Sequence, residues 1–139
     1  MPVIPPFTKP PFIAPQWPAP AGVLALCTTR HGGCSAAPYE SFNLAHHVGD
    51  SESAVAGNRD MLAGALPPGV AVSWLSQVHG TTVVEAGQGG PYPVADAQWN
   101  RHPGAACVVL TADCLPVLLC SASGDVVAAA HAGWRGLLA

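Results

Sequence analysis

The chain has 139 residues, of which half are hydrophobic and 9% are charged, a balance typical of a compact globular protein rather than a disordered one. Its formal net charge is -3, with only 5 Lys and Arg residues, which argues against the basic surface that nucleic-acid binding requires. No run approaches the roughly 20 apolar residues of a membrane span, and the N-terminus lacks the pattern of a signal peptide. We therefore expect one soluble, cytoplasmic domain with no nucleic-acid or membrane partner.

The first 20 residues are rich in proline, which fixes φ and removes a backbone donor, so this stretch cannot be a helix. We predict an extended lead-in over residues 1–20 and the domain itself over residues 21–139. The apolar run GVLALCTT, residues 22–29, predicts the first strand, and the glycines after it predict a turn.

One helix is predicted over residues 51–66. Apolar positions such as Val55 and Leu62 recur there at helical spacing, behind a capping serine, Ser51. The sequence Pro67-Pro68-Gly69 ends the helix. After it, short apolar runs separated by turn-rich stretches predict buried strands at residues 70–75, 81–85, 105–111, 115–120 and 126–131. A second helix is predicted to begin at Gly133.

The five cysteines are odd in number and include no C-x-x-C pair, which argues against both a disulfide framework and a zinc ribbon. Taken alone, each is best explained as a small buried hydrophobic residue. They are Cys27, Cys34, Cys107, Cys114 and Cys120.

Three segments place a metal ligand or nucleophile at or just beyond the end of a predicted strand: SQVHG at 76–80, TADCLP at 111–116 and AHAGWRG at 130–136. Loops at strand ends are held by a rigid scaffold and can converge on one rim of a sheet. Two imidazoles and one thiolate, from His79, His131 and Cys114, form the three-ligand set of catalytic zinc, with a fourth position left open. Spacing alone leaves open the alternative that all three are packing residues.

Five separated motifs resemble, in wording and order, the laccase-domain (YfiH-like) family, whose members were formerly called polyphenol oxidases and are now mostly assigned as purine nucleoside phosphorylases. The motifs are TTRHGGCSAAPYESFNL, GNRDML, SQVHG, TADCLPVLLC and AAAHAGWRG, and the resemblance runs from about Trp17 to the last residue. It implies an α/β (α+β) fold with mixed sheets flanked by helices. It also implies that His79, Cys114 and His131 coordinate a catalytic metal, zinc or copper. We expect zinc, although copper binds such donors more tightly.

The activity implied by the resemblance is metal-dependent phosphorolysis of adenosine, inosine, guanosine and methylthioadenosine, with adenosine deaminase activity beside it. The expected partners are thus a small-molecule nucleoside and phosphate. Arg135, near the glycines 133 and 136 at a predicted helix start, suits a phosphate, although packing glycines and a surface arginine explain the pattern equally well. Asn43, Arg59 and Gln77 match polar positions of the family motifs and are predicted to bind substrate.

Other residues carry weaker expectations. Asp113, next to Cys114, is the nearest carboxylate in sequence that can orient a ligand, provided that the chain turns there. His46, His47 and His102 are expected to face solvent. Ala45 stands where the family usually has glycine. Because family members continue well past the HAGWRG motif, we expect the chain to be the N-terminal portion of a laccase-like domain.

Three alternative functions remain. Copper-dependent oxidation of polyphenols is disfavoured, because one cysteine and a few histidines cannot build several copper centres. A cysteine hydrolase that edits peptidoglycan precursors is the second, with Cys114 as nucleophile and His131 as base. The third is an inactive, truncated paralogue.

Overall fold

A computed structural model of the chain describes residues 12–139, which form two compact units. Unit 1 contains residues 12–18 and Leu24–Pro68, and unit 2 contains Ala19–Val23 and Gly69–Ala139. Most of the predicted lead-in, residues 1–11, lies outside the described residues. The division of the chain at residue 20 stays a prediction.

Unit 1 begins with a short antiparallel pair, β1 (Phe12–Ile13) and β2 (Cys27–Thr28). The strand predicted over residues 22–29 is therefore limited to its last part. Gly22 adopts a positive φ of 94° in a turn, which interrupts an extended backbone at the start of the predicted run. Phe12 also packs against Phe42, with ring centroids 6.4 Å apart.

The helix predicted over residues 51–66 is present as α1 (Glu52–Ala65). The Ser51 side chain accepts a hydrogen bond from the backbone N–H of Ala54, which satisfies one of the free donors of the first turn. The buried face of α1 carries Val55, Asn58 and Leu62.

Asn58, in α1, forms hydrogen bonds with the loop of residues 34–43 in unit 1. This fully buried amide donates to the Ser35 hydroxyl and to the carbonyls of Ser41 and Asn43, and its oxygen accepts from the backbone N–H of Cys34. These hydrogen bonds replace those to water that the amide loses on burial. Asn58 therefore stabilises one conformation of the loop.

Unit 2 contains two sheets and a short helix. Strands β3 (Ala71–Ser73) and β6 (Ala105–Cys107) pair in parallel. The second sheet has the order β4-β5-β8-β7, with β4 and β5 parallel and the other pairs antiparallel. Its strands are β4 (Val83–Glu85), β5 (Ala97–Asn100), β7 (Leu115–Cys120) and β8 (Val127–Ala132), and α2 (Trp134–Leu138) follows. No helix within residues 12–139 is long and apolar enough to cross a membrane.

Each of the five apolar runs predicted as strands overlaps an observed strand, and the helix predicted from Gly133 is present as α2. Strand β5 was not predicted, because its buried side chains, Gln98 and Asn100, are polar. The Gln98 amide donates to the carbonyls of Ser73, in β3, and Val108, just after β6. It therefore ties the four-stranded sheet to the two-stranded one.

The prediction that residues 115–120 form a buried strand is wrong in its burial. Strand β7 is the edge of its sheet, and Leu115 and Leu119 on one of its faces are 64% and 51% exposed. A continuous apolar run is typical of a strand that is buried on both faces. Within residues 12–139, however, no other element covers this face of β7.

Candidate metal centre

His79, Cys114 and His131 come together in unit 2. His79 lies in the loop before β4, Cys114 directly precedes β7, and His131 is near the end of β8. One ligand atom from each lies within 4.8 Å of the others, and the two imidazole rings are 4.8 Å apart at an interplanar angle of 69°. Because β7 and β8 are neighbours, their pairing carries Cys114 to the end of the sheet where His131 lies.

This donor set fits one metal ion. Bonds of 2.0–2.3 Å in a tetrahedral site separate ligand atoms by about 3.3–3.8 Å, so side-chain movements of about 1 Å close the cluster around an ion. His131 is buried, Cys114 is half-buried and His79 is exposed. The cluster is therefore supported from within the protein and open on one side, the arrangement of a site that leaves a coordination position to water or substrate.

Two glycines allow the start of α2 to approach the cluster. A Cβ on Gly133 would lie 3.1 Å from the Cys114 sulfur and 3.1 Å from Cδ2 of His79. A Cβ on Gly136 would lie 3.0 Å from the carbonyl oxygen of Gly80, in the loop of His79. The glycines of the AHAGWRG motif thus serve close packing, and this favours the packing explanation of the pattern.

A further residue at the cluster, Asp96, was not predicted from the sequence. It is 2% exposed, and its Oδ2 lies 2.8 Å from Nδ1 of His131. The same carboxylate accepts the backbone N–H groups of Val78, His79 and Gly80 at 2.9–3.0 Å. Burial alone would raise the pKa of Asp96, but the hydrogen bond from His131 and those from the three amides outweigh it and hold the pKa below its ordinary value.

The register of the sheet explains this contact. Ala97 of β5 is opposite Ala130 of β8 in an antiparallel pair, so the preceding residue, Asp96, comes opposite His131. Asp113, the carboxylate expected to orient a ligand, is exposed and lies 3.9 Å from the sulfur of Cys114. That distance is long for a hydrogen bond, even to sulfur.

Gln77 links two of the three loops. Its side chain donates to the carbonyl of Leu110 at 2.8 Å and accepts from the backbone N–H of the same residue at 2.7 Å. This pair of bonds fixes the segment before His79 against the segment that leads to Cys114. The contact of Gln77 with substrate stays a prediction. It would use the amide hydrogen and the lone pair that these two bonds do not occupy.

Asn43 and Arg59 belong to unit 1. Asn43 accepts from the backbone N–H of Ala45 and donates to Asp50, so it closes a turn in its own loop. Arg59 donates from Nε to the carbonyl of Leu44. Ala45 carries no positive-φ strain, since among the described residues His79 is the one non-glycine residue with positive φ. The proposed contacts of Asn43 and Arg59 with substrate stay predictions.

Arg135 is exposed and lies against the Trp134 ring, 5.3 Å from its centroid. Helix α2 has only 5 residues, too few for a substantial dipole, so a phosphate site here depends on the guanidinium itself. His46, His47 and His102 are exposed, as expected. All five cysteines are free; Cys34 is exposed, contrary to expectation, while burial raises the pKa of Cys107 to about 11.

The fold and the cluster define an α/β protein with mixed sheets and a candidate site for one metal ion, built from two histidines and one cysteine. Residues 24–139 match the family model described as multi-copper polyphenol oxidoreductase laccase. The chain therefore belongs to this family, and the resemblance of its motifs to the laccase-domain family is confirmed.

Named relatives agree with this assignment. The chain is 55% identical over 130 residues to the purine nucleoside phosphorylase PA4543 of Pseudomonas aeruginosa, and 53% identical over 132 residues to the purine nucleoside phosphorylase YfiH of Escherichia coli. Each match covers 92% of this chain but only 52% and 53% of the relative. The chain thus spans about half the length of the curated relatives it matches.

Solved structures agree on the fold. The crystal structure of the Neisseria meningitidis protein NMB0706 matches with a TM-score of 0.86 and 50% identity, over 91% of this chain and 52% of that one. That of YlmD from Geobacillus stearothermophilus matches with a TM-score of 0.69 and 33% identity, over 91% of this chain and 54% of that one. The expected α/β fold with mixed sheets is confirmed.

Proposed function

We propose that this chain carries the metal site of a purine nucleoside phosphorylase, in which His79, Cys114 and His131 hold the metal. The observation that carries the proposal is the convergence of three ligand atoms to within 4.8 Å, in a chain whose relatives are named purine nucleoside phosphorylases. The proposed substrates are adenosine, inosine, guanosine and methylthioadenosine with phosphate, and adenosine deamination is a companion activity.

Zinc is the proposed ion. One thiolate and two imidazoles suit zinc and copper alike, and availability in the cell decides between them. When bound, the metal supplies a positive charge that polarises a group of the substrate. Among residues 12–139 one cluster of this kind is found, so the described part of the chain does not offer the several centres that polyphenol oxidation by a multicopper enzyme requires.

The protein's own groups have separate proposed tasks. His131 would hold the metal through Nε2, because its Nδ1 is engaged by Asp96. His79 is exposed, so its side of the cluster is where we propose that the nucleoside approaches. Arg135 is the proposed contact for phosphate, since a guanidinium binds phosphate oxygens in pairs. The substrate roles of Gln77, Asn43 and Arg59 rest on the resemblance of the motifs.

The test is the release of hypoxanthine from inosine by the zinc-loaded chain, followed by chromatography at several phosphate concentrations. We expect release that saturates with phosphate and is abolished by a chelator and by His131→Ala. His102→Ala is the matched control, because that imidazole is 74% exposed and lies outside the cluster. Release of free base at the same rate without phosphate would contradict the phosphorylase function.

A cysteine hydrolase is the second candidate, favoured by the contact between Asp96 and His131. A carboxylate that orients a histidine beside a thiol is the arrangement of a nucleophile, its base and the group that holds the base. The amide of a peptidoglycan precursor is then the proposed substrate. Amidase activity that survives Cys114→Ser would eliminate this candidate.

A further inference from the structure

The buried carboxylate of Asp96 contacts the ring of one candidate ligand, His131, and the backbone of the loop that carries another, His79. Oδ2 of Asp96 accepts from the backbone N–H of His79 and faces Nδ1 of His131, while Oδ1 accepts from the backbone N–H groups of Val78 and Gly80. Both oxygens are thus fully engaged at the inner wall of the site. The contact with His131 accounts for only part of this arrangement, because three of the four hydrogen bonds go to the loop of His79.

On one side, Asp96 determines which nitrogen of His131 is free. An ionised carboxylate only accepts hydrogen bonds, so Nδ1 of His131 must carry the hydrogen that it shares with Oδ2 at 2.8 Å. In the neutral imidazole the lone pair is then on Nε2, the atom that remains for a metal. The second nitrogen of a histidine ligand is commonly fixed in this way.

On the other side, Asp96 holds the loop of His79 in an uncommon conformation. His79 has a φ of 59°, in the left-handed region that non-glycine residues seldom adopt. Such a residue persists when its surroundings stabilise it, and here three consecutive backbone N–H groups converge on one carboxylate. This turn brings the His79 ring to within 4.8 Å of the His131 ring.

We propose that Asp96 is the positioning residue of the metal site, which fixes the tautomer of His131 and the loop of His79 with one carboxylate. The inference rests on the proposed binding of metal by His79, Cys114 and His131. Asp96 is not proposed as a ligand, because both of its oxygens are engaged by the donors that they hold.

Asp96→Asn is the discriminating substitution, because it keeps the size of the side chain and replaces one acceptor with an NH₂ donor. If the new NH₂ faces His131, Nδ1 must give up its hydrogen and Nε2 carries it instead. If it faces Val78 and Gly80, their N–H groups lose their acceptor. Either orientation weakens the metal site, by about 10- to 100-fold in affinity, as is usual for partners of metal ligands.

The affinity for Zn²⁺ is measured by competition with a chromogenic chelator, on wild-type protein, Asp96→Asn and Asp113→Asn. The last is the matched control, since it removes the same charge from an exposed position beside Cys114. We expect weaker binding in Asp96→Asn alone, with a weaker sulfur-to-metal absorption band in the Co²⁺ form. Wild-type affinity and an unchanged band in folded Asp96→Asn would overturn the proposal.

A second measurement uses wild-type protein without metal, so it does not depend on the folding of a variant. Nitrogen-15 NMR reports which nitrogen of His131 carries the hydrogen, and we expect Nδ1. In the neutral imidazole, a hydrogen on Nε2 in place of Nδ1 would overturn the role of Asp96. If wild-type protein binds no Zn²⁺, the proposed metal function fails, and the NMR result still decides whether Asp96 fixes the tautomer.

Discussion

Gly133 occupies a position where a single methyl group would meet two of the candidate ligands. A Cβ added there would lie 3.1 Å from both the Cys114 sulfur and the His79 ring, while its φ of -83° is accessible to any residue. Gly133→Ala is therefore expected to act through crowding, at a cost of about 1–3 kcal/mol shared between stability and metal affinity. Calorimetric titration with Zn²⁺ and thermal unfolding measure the two parts.

Gly64→Ala is the matched control for that substitution. Gly64 lies within α1, and a methyl group added to it would meet no atom within 4 Å. Alanine there is expected to raise the free energy of unfolding by about 0.5–1 kcal/mol and to leave zinc binding unchanged. Equal zinc affinity in Gly133→Ala and Gly64→Ala would show that Gly133 is not essential for the approach of the ligands.

At this scale the sequence predicted the three candidate ligands but not the carboxylate that contacts them. His79, Cys114 and His131 were predicted from motif wording, and the structure brings them together. Asp96 was not predicted, since it is 35 residues from His131 in sequence and meets it only through sheet pairing. Asp113 was preferred because it is adjacent to Cys114, but adjacency along a backbone does not determine where a side chain points.

The same distinction holds for whole elements. The helix α1 was predicted almost to its ends, because helical spacing and a serine cap are local signals. Strand β5 was missed because the rule that buried side chains are apolar fails there: Gln98 and Asn100 are buried and polar. The alternation of polar residues from Asp96 onward was the available signal, and it indicates a strand whose inner face forms hydrogen bonds. Sheet order cannot be read from such local patterns.

The contribution of the loop before α1 to stability is expected to depend on pH. The hydrogen bonds from Ser35 and Asn43 hold the pKa of Asp50 below its ordinary value of 3.8. Because the folded-state pKa is lowered, the stability that Asp50 contributes is fully present above 3.8 and is lost as the pH falls through the folded value. Urea unfolding should therefore show a larger loss of stability in acid for wild-type protein than for Asp50→Asn. Parallel losses in the two proteins would contradict this role.

At the scale of the whole chain, we expect metal binding and nucleoside turnover to be separable in experiment. All three candidate ligands lie in unit 2, while the chain spans about half the length of its curated relatives. Orientation of bound reactants supplies a large share of enzymatic rate acceleration, several kcal/mol of barrier. In the hypoxanthine assay we therefore expect phosphate-dependent release at a low rate from this 139-residue chain.

The central claim is that His79, Cys114 and His131 bind one metal ion, and the zinc content of the purified chain tests it most directly. Wild-type protein, His131→Ala and His102→Ala are each loaded with Zn²⁺, dialysed against metal-free buffer and analysed by atomic absorption. With a tetrahedral site that takes three protein ligands, we expect about one zinc per chain in wild-type protein and His102→Ala, and almost none in His131→Ala. Equal zinc in His131→Ala and wild-type protein, or no zinc in any of the three, would contradict the account.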